Sequence, residues 1–430
     1  MITILKFLTY LSALLSIAPF LRPADSSKKT LLWIPKLLGG ALSPLVGITG
    51  LWGALLGLTR RDWKLAGAGI LGTGLAAKFI ADIPASQEQF EAAFGNNWQE
   101  QVPATLQSLM PRHRISLPVR AARKVEFQRD VIFGQNPKSR KTLRADLWQP
   151  GPGTPCSGLG VIYAHGSGWR VGDKDLGTRV FFRRLAGQGH VILDIAYTLW
   201  PEADIPTMVN EFNQAILWMK ENGAAFGVNP ERIVVMGGSA GGHIALLAAY
   251  TPNHPAFKPT PESGDTSVRG VVAFYPPIDL TAMQKLSDEQ PDIAPRPIDK
   301  AANAMLQRIF TLHNEKIRQD GNSEYKFKNM LAEILGGNLD EIPEIFTLLS
   351  PIEHIGAHCP PTLLLQGSDD VFGLAPPVRR FYQDLQAAGV PAMLVEFPHT
   401  EHGFDLLLPQ VSPVAQAATY DVEHFLAVLV

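Results

Sequence analysis

The alternation of short β-rich runs with helical patterns begins at Val125 and constrains the fold more than any other feature of the sequence. The β-rich runs are Val125–Val131, Ala145–Trp148, Gly160–Ala164, Val191–Ile195, Ile233–Met236, Val271–Phe274, Thr362–Gln366 and Met393–Phe397. The helical patterns are Arg179–Gly187, Thr207–Asn222, Ala240–Ala249, Pro376–Ala388 and Val414–Leu429. Strands that alternate with helices form a mainly parallel sheet covered on both faces. The sequence therefore predicts an α/β domain over residues 125–430, with an antiparallel hairpin as its first two strands.

A long insertion interrupts the alternation before the strand Thr362–Gln366. Residues 281–343 are rich in charged, helix-prone sequence and contain no β-rich run. Because long insertions in compact domains usually serve as lids or binding elements, we expect a lid over residues 281–343.

A glycine-rich turn, Gly237-Gly-Ser-Ala-Gly-Gly242, joins the strand Ile233–Met236 to a helix. A nucleophilic serine on such a turn needs small neighbours, because the turn is sharp and strained. Gly237 and Gly241 supply that room, and the helix N-terminus favours negative charge nearby. The pattern predicts Ser239 as a nucleophile. The alternative is a serine that only caps the helix.

A second glycine-rich turn, His165-Gly-Ser-Gly-Trp169, follows the strand Gly160–Ala164. A tetrahedral intermediate needs backbone N–H groups directed at its oxyanion. The expected donors are Gly166, Ser167 and Ala240. The residues expected to contact substrate are Gly168, Trp169 and Gly238. His165 itself is predicted to be a buried, hydrogen-bonded residue of the turn and not a catalytic group.

The acid and the base are expected later in the chain. Asp369 and Asp370 follow the strand Thr362–Gln366, and we favour Asp370 as the acid, which leaves Asp369 in a solvated turn. His399 and His402 follow the strand Met393–Phe397, and we favour His402 as the base. The predicted triad is Ser239, His402 and Asp370.

Three further segments complete a family pattern: Tyr197–Glu202, Phe226–Arg232 and Ser350–Ile355. With the motifs above, they make residues 125–430 resemble α/β-hydrolases of the hormone-sensitive-lipase-like and acetylxylan/feruloyl-esterase-like carboxylesterases. The chain is also similar to isoprenylcysteine methylesterases, which carry membrane segments. The resemblance implies an eight-stranded, mostly parallel sheet, and it implies nucleophile, acid, base and oxyanion roles for Ser239, Asp370, His402 and the His165–Gly168 turn.

Two positions depart from the family pattern. Ser167 stands where the middle glycine of His-Gly-Gly-Gly is usual, and its Cβ is unfavourable if the turn demands a positive φ. Gly238 replaces the acidic residue that frequently precedes the nucleophile, which removes a charge near the site.

The first 84 residues differ from the rest in charge and hydropathy. They hold nine basic and three acidic residues, a net charge of +6, whereas the whole chain carries −2. Three apolar runs are Met1–Leu21, Leu37–Leu58 and Leu65–Ile83, about as long as the roughly 20 residues that a bilayer requires. Residues 1–84 are therefore predicted to be a membrane anchor with two or three transmembrane helices. Residues 85–124, with Phe90, Phe94 and Trp98 in amphipathic spacing, are predicted to form a juxtamembrane connector.

Residues 1–84 are called the head below. The sequence leaves two questions about the head open. Met1–Leu21 is favoured as an uncleaved membrane segment over a signal peptide, because no cleavage site follows it. The basic residues Arg60, Arg61 and Lys64 favour one orientation in the membrane, while Arg22, Lys28 and Lys29 favour the other.

A dinucleotide-like fingerprint, Gly67-Ala-Gly-Ile-Leu-Gly72, lies inside the third apolar run. We interpret its glycines, and those of Gly53-x-x-x-Gly57, as contacts between closely packed helices. The alternative, a nucleotide site, requires a strand before Gly67.

Composition excludes several classes of function. The absence of a basic excess argues against nucleic-acid binding. The two cysteines, Cys156 and Cys359, cannot form a disulfide scaffold and are expected to be free thiols.

We therefore predict a membrane-anchored serine hydrolase that cleaves small-molecule or lipid esters, with apolar acyl or prenyl groups, without metal or cofactor. The alternatives are an amidase or peptidase with the same triad, and a catalytically silent binding or scaffold protein. The oligomeric state is left open.

Overall fold

The computed structural model describes residues 2–23, 26–116, 123–260, 263–288 and 330–430. Most of the predicted lid, residues 289–329, lies outside the described residues.

One sheet of eight strands organises residues 125–430. The strands are β1 (Val125–Gln135), β2 (Thr142–Pro150), β3 (Gly160–Ala164), β4 (Val191–Ala196), β5 (Ile233–Gly238), β6 (Gly270–Phe274), β7 (Thr362–Gly367) and β8 (Ala392–Phe397). Their order in the sheet is β1-β2-β4-β3-β5-β6-β7-β8. β2 pairs antiparallel with both β1 and β4, and the remaining pairs are parallel. The predicted α/β-hydrolase fold and its N-terminal hairpin are confirmed.

Helices cover both faces of this sheet. Among the described residues, the helices of this part of the chain are α7 (Arg179–Ala186), α8 (Ile205–Asn222), α9 (Ala240–Tyr250), α10 (Leu280–Asp288), α11 (Met330–Leu335), α12 (Pro343–Leu348), α13 (Ala375–Ala387) and α14 (Pro413–Val428). One buried apolar cluster joins the sheet to α8, α9 and α13. A second joins the opposite face to α7 and α14. The strand interiors are therefore apolar on both sides, as expected for a parallel sheet.

The described residues of the head form four α-helices. They are α1 (Ile2–Ile17), α2 (Ser26–Ala41), α3 (Ser43–Thr59) and α4 (Trp63–Ala81). By length and composition, the described residues contain two helices able to cross a membrane, Ile2–Phe20 and Trp63–Ala81, each of 19 residues. Counting the bent pair α2 and α3 as one span gives up to three.

The apolar run Leu37–Leu58 does not form one straight helix. The chain bends by 72° between α2 and α3, and the two helices meet at Leu42. Pro44 lies at the start of α3, where a proline is compatible with the first turn but cannot continue a preceding helix.

Glycines allow α3 and α4 to approach each other closely. A Cβ built on Gly69 would lie 2.4 Å from the backbone nitrogen of Ala54, and one on Gly57 would lie 2.4 Å from that of Ala66. The fingerprint at Gly67–Gly72 lies within α4, which follows α3 and a short turn and not a strand. Gly69 and Gly72 of this motif approach neighbouring helices, whereas a Cβ on Gly67 would meet nothing within 4 Å. The helix-packing interpretation therefore holds for Gly69 and Gly72 and not for Gly67.

A packed connector joins the head to the α/β domain. It contains α5 (Gln87–Phe94), a 3₁₀ turn at Trp98–Gln101 and α6 (Ala104–Gln107). Phe90 is buried and stacks on Trp98 with ring centroids 4.3 Å apart. Ser86 Oγ donates a buried hydrogen bond of 2.6 Å to Asp421 on α14.

Candidate active site

The turn between β5 and α9 holds Ser239 in a strained conformation. Ser239 has φ 52° and ψ −122°, and α9 begins at the next residue. A Cβ on Gly237 would lie 2.4 Å from the backbone of Gly241, and one on Gly241 would lie 2.0 Å from the carbonyl oxygen of Ala164. Only glycine fits at these two positions, which is why the sequence can form so sharp a turn.

Two hydrogen bonds connect Ser239, His402 and Asp370. His402 Nδ1 lies 2.9 Å from Asp370 Oδ2, and His402 Nε2 lies 2.9 Å from Ser239 Oγ. Because an ionised carboxylate can only accept, Nδ1–H donates to Asp370, and Nε2 is left to accept the hydroxyl proton of Ser239. The structure thus brings together the three side chains of the predicted triad.

The loop after β7 orients Asp370. Its Oδ1 accepts the backbone N–H of Phe372 at 2.9 Å, and its Oδ2 also accepts Gln366 Nε2 at 3.0 Å. The Asp370 side chain is fully buried. These bonds hold the carboxylate beside the imidazole of His402.

The expectation that Asp369 lies in a solvated turn is wrong. Its carboxylate lies 3.0 Å from Nζ of Lys36 on α2, and its side chain is only 10% exposed. His399, the alternative base, lies away from Ser239 and pairs through Nε2 with Asp82 Oδ2 at 3.1 Å. The head therefore occupies the surfaces that the sequence assigned to solvent.

The turn after β3 lies against the Ser239 turn. A Cβ on Gly166 would lie 2.9 Å from the carbonyl oxygen of Gly238 and 3.2 Å from Ser239 Cβ. The next three residues, Ser167, Gly168 and Trp169, have φ of 90°, 63° and 61°. The turn therefore demands a positive φ at Ser167, where the sequence departs from the usual glycine.

We expect Ser167→Gly to stabilise the protein by about 1 kcal/mol, because glycine adopts this φ without the strain that a Cβ causes. The measurement is the denaturant midpoint of the purified protein. Ser167→Ala is the matched control, since it removes the hydroxyl but keeps the Cβ, and it should bring no gain. Equal stabilisation by both variants would assign the effect to the hydroxyl.

Two side chains of this turn, those of His165 and Trp169, are buried in the core. Tyr197 Oη donates to the carbonyl oxygen of His165 at 2.9 Å, and their rings stack with centroids 4.6 Å apart. Burial lowers the pKa of His165, which favours the neutral ring expected of a turn residue. The ring of Trp169 is 1% exposed and packs edge-on against His243 of α9. The structure thus places the Trp169 side chain in the core and not on an open surface.

Tyr275 and Asp405 form part of the site that the sequence did not indicate. The Tyr275 ring contacts that of His402 with centroids 4.3 Å apart, and its Oη donates to Asp405 Oδ1 at 2.5 Å. Burial raises the pKa of Asp405 to about 6, against the opposing hydrogen bond from Tyr275. A Cβ on Gly238 would lie 3.2 Å from Tyr275 Oη, so Tyr275 occupies the space that a larger residue at 238 would need.

Residues of the head also reach the site. Trp33 Nε1 on α2 donates a buried hydrogen bond of 2.9 Å to the carbonyl oxygen of His402. The Phe20 ring packs on His399 with centroids 4.5 Å apart. The one sequence signal for this contact is Lys36, a lone charge within an apolar stretch, because such a charge requires a partner. The partners of Lys36 lie more than 300 residues away in the chain and could not be identified from the sequence.

The C-terminal described end of the predicted lid approaches the turn after β3. Arg170 forms a salt bridge with Glu333 of α11. A Cβ on Gly168 would lie 3.7 Å from Met330 Sδ. The segment from Met330 thus covers one side of this turn.

The two cysteines, both within the described residues, are free. Cys156 is exposed and Cys359 is buried, which raises the pKa of the Cys359 thiol to about 11. Both are free thiols, as expected.

Comparison with known proteins places this site in a family context. The BD-FAE family model matches residues 154–373, just over half of the chain. Esterase LipC of Mycobacterium tuberculosis is 29% identical over 385 residues, 86% of this chain and 83% of LipC. The probable carboxylic ester hydrolase LipM of the same organism is 29% identical over 301 residues, 69% of this chain. The chain spans only 60% of the length of LipM.

Two further similarities concern a plant protein and a solved structure. The probable isoprenylcysteine alpha-carbonyl methylesterase ICMEL1 of Oryza sativa is 37% identical over 139 residues, which are 32% of this chain and 30% of that protein. The butyrate-bound esterase Est2 of Thermogutta terrifontis is 22% identical, with a TM-score of 0.47, over 70% of this chain and 94% of that one.

Proposed function

Because the chain belongs to the BD-FAE family, we propose that it is a serine hydrolase that cleaves carboxylic esters through an acyl-enzyme intermediate. The observation that carries the proposal is the pair of 2.9 Å hydrogen bonds that link Ser239, His402 and Asp370 at a strained strand-to-helix turn. The names of LipC and LipM, both ester hydrolases, point to the same reaction class.

In the proposed mechanism, Ser239 Oγ attacks the ester carbonyl carbon while its proton passes to His402 Nε2. Asp370 holds the tautomer of His402 and stabilises the imidazolium that forms. The carbonyl oxygen becomes an oxyanion, and the backbone N–H groups of Gly166, Ser167 and Ala240 are proposed to donate to it. His402 then returns the proton to the departing alkoxide, which leaves as an alcohol. In the second half, water attacks the acyl-enzyme by the same route and releases the acid.

We propose that residues 1–84 anchor the enzyme in a membrane and that residues 125–430 form the catalytic domain. Large apolar side chains are exposed on three helices of the head: Phe7 and Leu14 on α1, Leu45, Trp52 and Leu55 on α3, and Trp63 and Ile70 on α4. Exposed apolar surface of this extent requires an apolar environment. Since α2 of the same head contacts His402, the site lies next to the anchor.

A site beside a membrane anchor favours a substrate that partitions into the bilayer. We therefore propose an ester with an apolar acyl or prenyl-type group as the substrate class. The 37% identical segment of an isoprenylcysteine methylesterase is consistent with this class. We propose that the described segment from Met330, which contacts the turn after β3, helps to shield such a group from water.

We expect the full-length enzyme, purified in detergent, to hydrolyse p-nitrophenyl esters with kcat/KM rising by at least tenfold from the acetate to the octanoate. The reason is that each buried methylene contributes roughly 0.8 kcal/mol of binding. Ser239→Ala, assayed in the same detergent, provides the background rate. A kcat/KM that is highest for the acetate would contradict the proposed substrate class while leaving ester hydrolysis itself intact.

A further inference from the structure

We infer that Lys36 and Trp33 of the head are positioning residues for catalysis, because α2 holds together the two loops that carry the acid and the base. Both residues precede the segment matched by the family, residues 154–373. The inference rests on the proposed function of Ser239, His402 and Asp370. It adds that the membrane head is part of the catalytic apparatus and does more than localise the enzyme.

A single ammonium group bridges the two loops. Lys36 Nζ lies 3.0 Å from Asp369 Oδ2, next in sequence to the acid Asp370. The same atom lies 2.8 Å from Glu401 Oε1, next in sequence to the base His402. The Lys36 side chain is 4% exposed and that of Glu401 is 2% exposed. Bonds to an ionised group in such a buried place are strong and directional, so Lys36 fixes the spacing between the loops.

The charge of Lys36 is as important as its length. Asp369, Asp370 and Glu401 place three carboxyl groups close to one another, and like charges at short range repel strongly in a poorly solvated site. Burial raises the pKa of Glu401 to about 7, and the neighbouring Lys36 ammonium opposes that rise. Without the ammonium, the pKa of Glu401 would rise further, so repulsion among the three carboxyl groups would act on the separation of Asp370 from His402 at a pH high enough to ionise Glu401.

Trp33 contacts the base itself. Its indole N–H donates to the carbonyl oxygen of His402 at 2.9 Å, and its ring packs edge-on against Phe372 with centroids 5.4 Å apart. Phe372 in turn packs edge-on against the His402 ring at 4.6 Å. Trp33 therefore orients the backbone of the base and supports the aromatic residue that packs against its imidazole.

Backbone hydrogen bonds within the α/β domain also link these two loops. The N–H of Asp369 donates to the carbonyl oxygen of Thr400 at 3.0 Å, and that of Ser368 donates to Phe397 at 2.9 Å. These bonds keep the loops adjacent when α2 is perturbed. Loss of Lys36 should therefore shift the triad by a fraction of an ångström and leave the fold intact.

The test is Lys36→Met in the full-length enzyme, which keeps the length of the side chain and removes its charge. We expect kcat for a p-nitrophenyl ester to fall about tenfold or more while KM changes less than threefold, because small misplacements of catalytic groups act on the transition state. Adding Glu401→Gln to Lys36→Met removes one of the repelling carboxyl groups, and at pH 9, where Glu401 of the single variant ionises, it should raise kcat at least threefold above that variant.

Ser86→Ala is the matched control. It removes the buried hydrogen bond from Ser86 in the connector to Asp421 on α14. Neither residue lies on the loop of the acid or the loop of the base. We expect it to lower the thermal midpoint and leave kcat unchanged. If Lys36→Met does not fold, Trp33→Phe keeps an aromatic ring but removes the indole N–H, and it should lower kcat at least threefold at unchanged KM.

Either of two outcomes would overturn the inference. One is folded Lys36→Met with kcat within twofold of wild type, and the other is Lys36→Met/Glu401→Gln no more active than Lys36→Met at pH 9. Should Lys36→Met fail to fold, Trp33→Phe with wild-type kcat would overturn it instead. Failure of the proposed function looks different, because Ser239→Ala would then be as active as wild type.

Discussion

Replacement of Ser239 by alanine is expected to lower kcat for ester hydrolysis by about 10⁵-fold to 10⁶-fold, the loss seen when the nucleophile of such a triad is removed. The protein should remain folded, because alanine is no larger than serine and Ser239 forms no cap hydrogen bond to α9. Some acceleration over water should remain, since the backbone donors of the oxyanion site survive the substitution.

A fluorophosphonate probe provides the direct measurement for this variant. Wild type should be labelled in proportion to the time of exposure, and Ser239→Ala should not be labelled at all. Ser139→Ala changes an exposed serine of the β1–β2 hairpin and serves as the matched control, with labelling equal to wild type. Equal labelling of wild type and Ser239→Ala would refute a Ser239 nucleophile. No labelling of either would favour a catalytically silent binding or scaffold protein.

The α/β domain could be predicted from the sequence because its signals are local. Each strand is a short apolar run next to a helical pattern, and β3 has the bounds that the sequence predicts. Ser239 and the turn after β3 follow directly from such strands. Chain order then leaves two aspartates and two histidines as the main candidates for the acid and the base.

The contact between the head and the α/β domain could not be predicted, because its residues lie far apart in the sequence. Lys36 looked like one of nine basic residues in an anchor, and Asp369 looked like part of an exposed turn. The partner of each lies on an element more than 300 residues away, and no periodicity encodes that distance. The same reason explains why Tyr275 and Asp405 were missed, since they meet only when β6 and the segment after His402 come together.

The bend between α2 and α3 was missed for a different reason. The length of an uncharged apolar segment predicts a membrane span well. The segment Leu37–Leu58, however, contains Gly39, Gly40 and Pro44, which permit a break in the helix. The break has a structural consequence, because it directs α2 toward the acid and base loops and leaves α3 paired with α4.

Matched pairs of variants should separate the base and the acid from their sequence neighbours. We expect His402→Ala to lower kcat by about 10⁵-fold to 10⁶-fold, because Ser239 then has no group to take its proton. His399→Ala should lower it less than threefold, since His399 contacts Phe20 and Asp82 of the head and not Ser239. Both variants are assayed with the same p-nitrophenyl ester, and circular dichroism checks that each is folded.

The acid is tested in the same way. Asp370→Asn should lower kcat by about 10⁴-fold, because an amide at this position favours the wrong tautomer of His402. Asp369→Asn should cost less than tenfold, because Lys36 keeps its second partner, Glu401. The difference follows from geometry, since only Asp370 bonds to the imidazole. A larger loss in Asp369→Asn than in Asp370→Asn would mean that the carboxylate bonded to His402 is not the one that supports catalysis, and the proposed triad would be wrong.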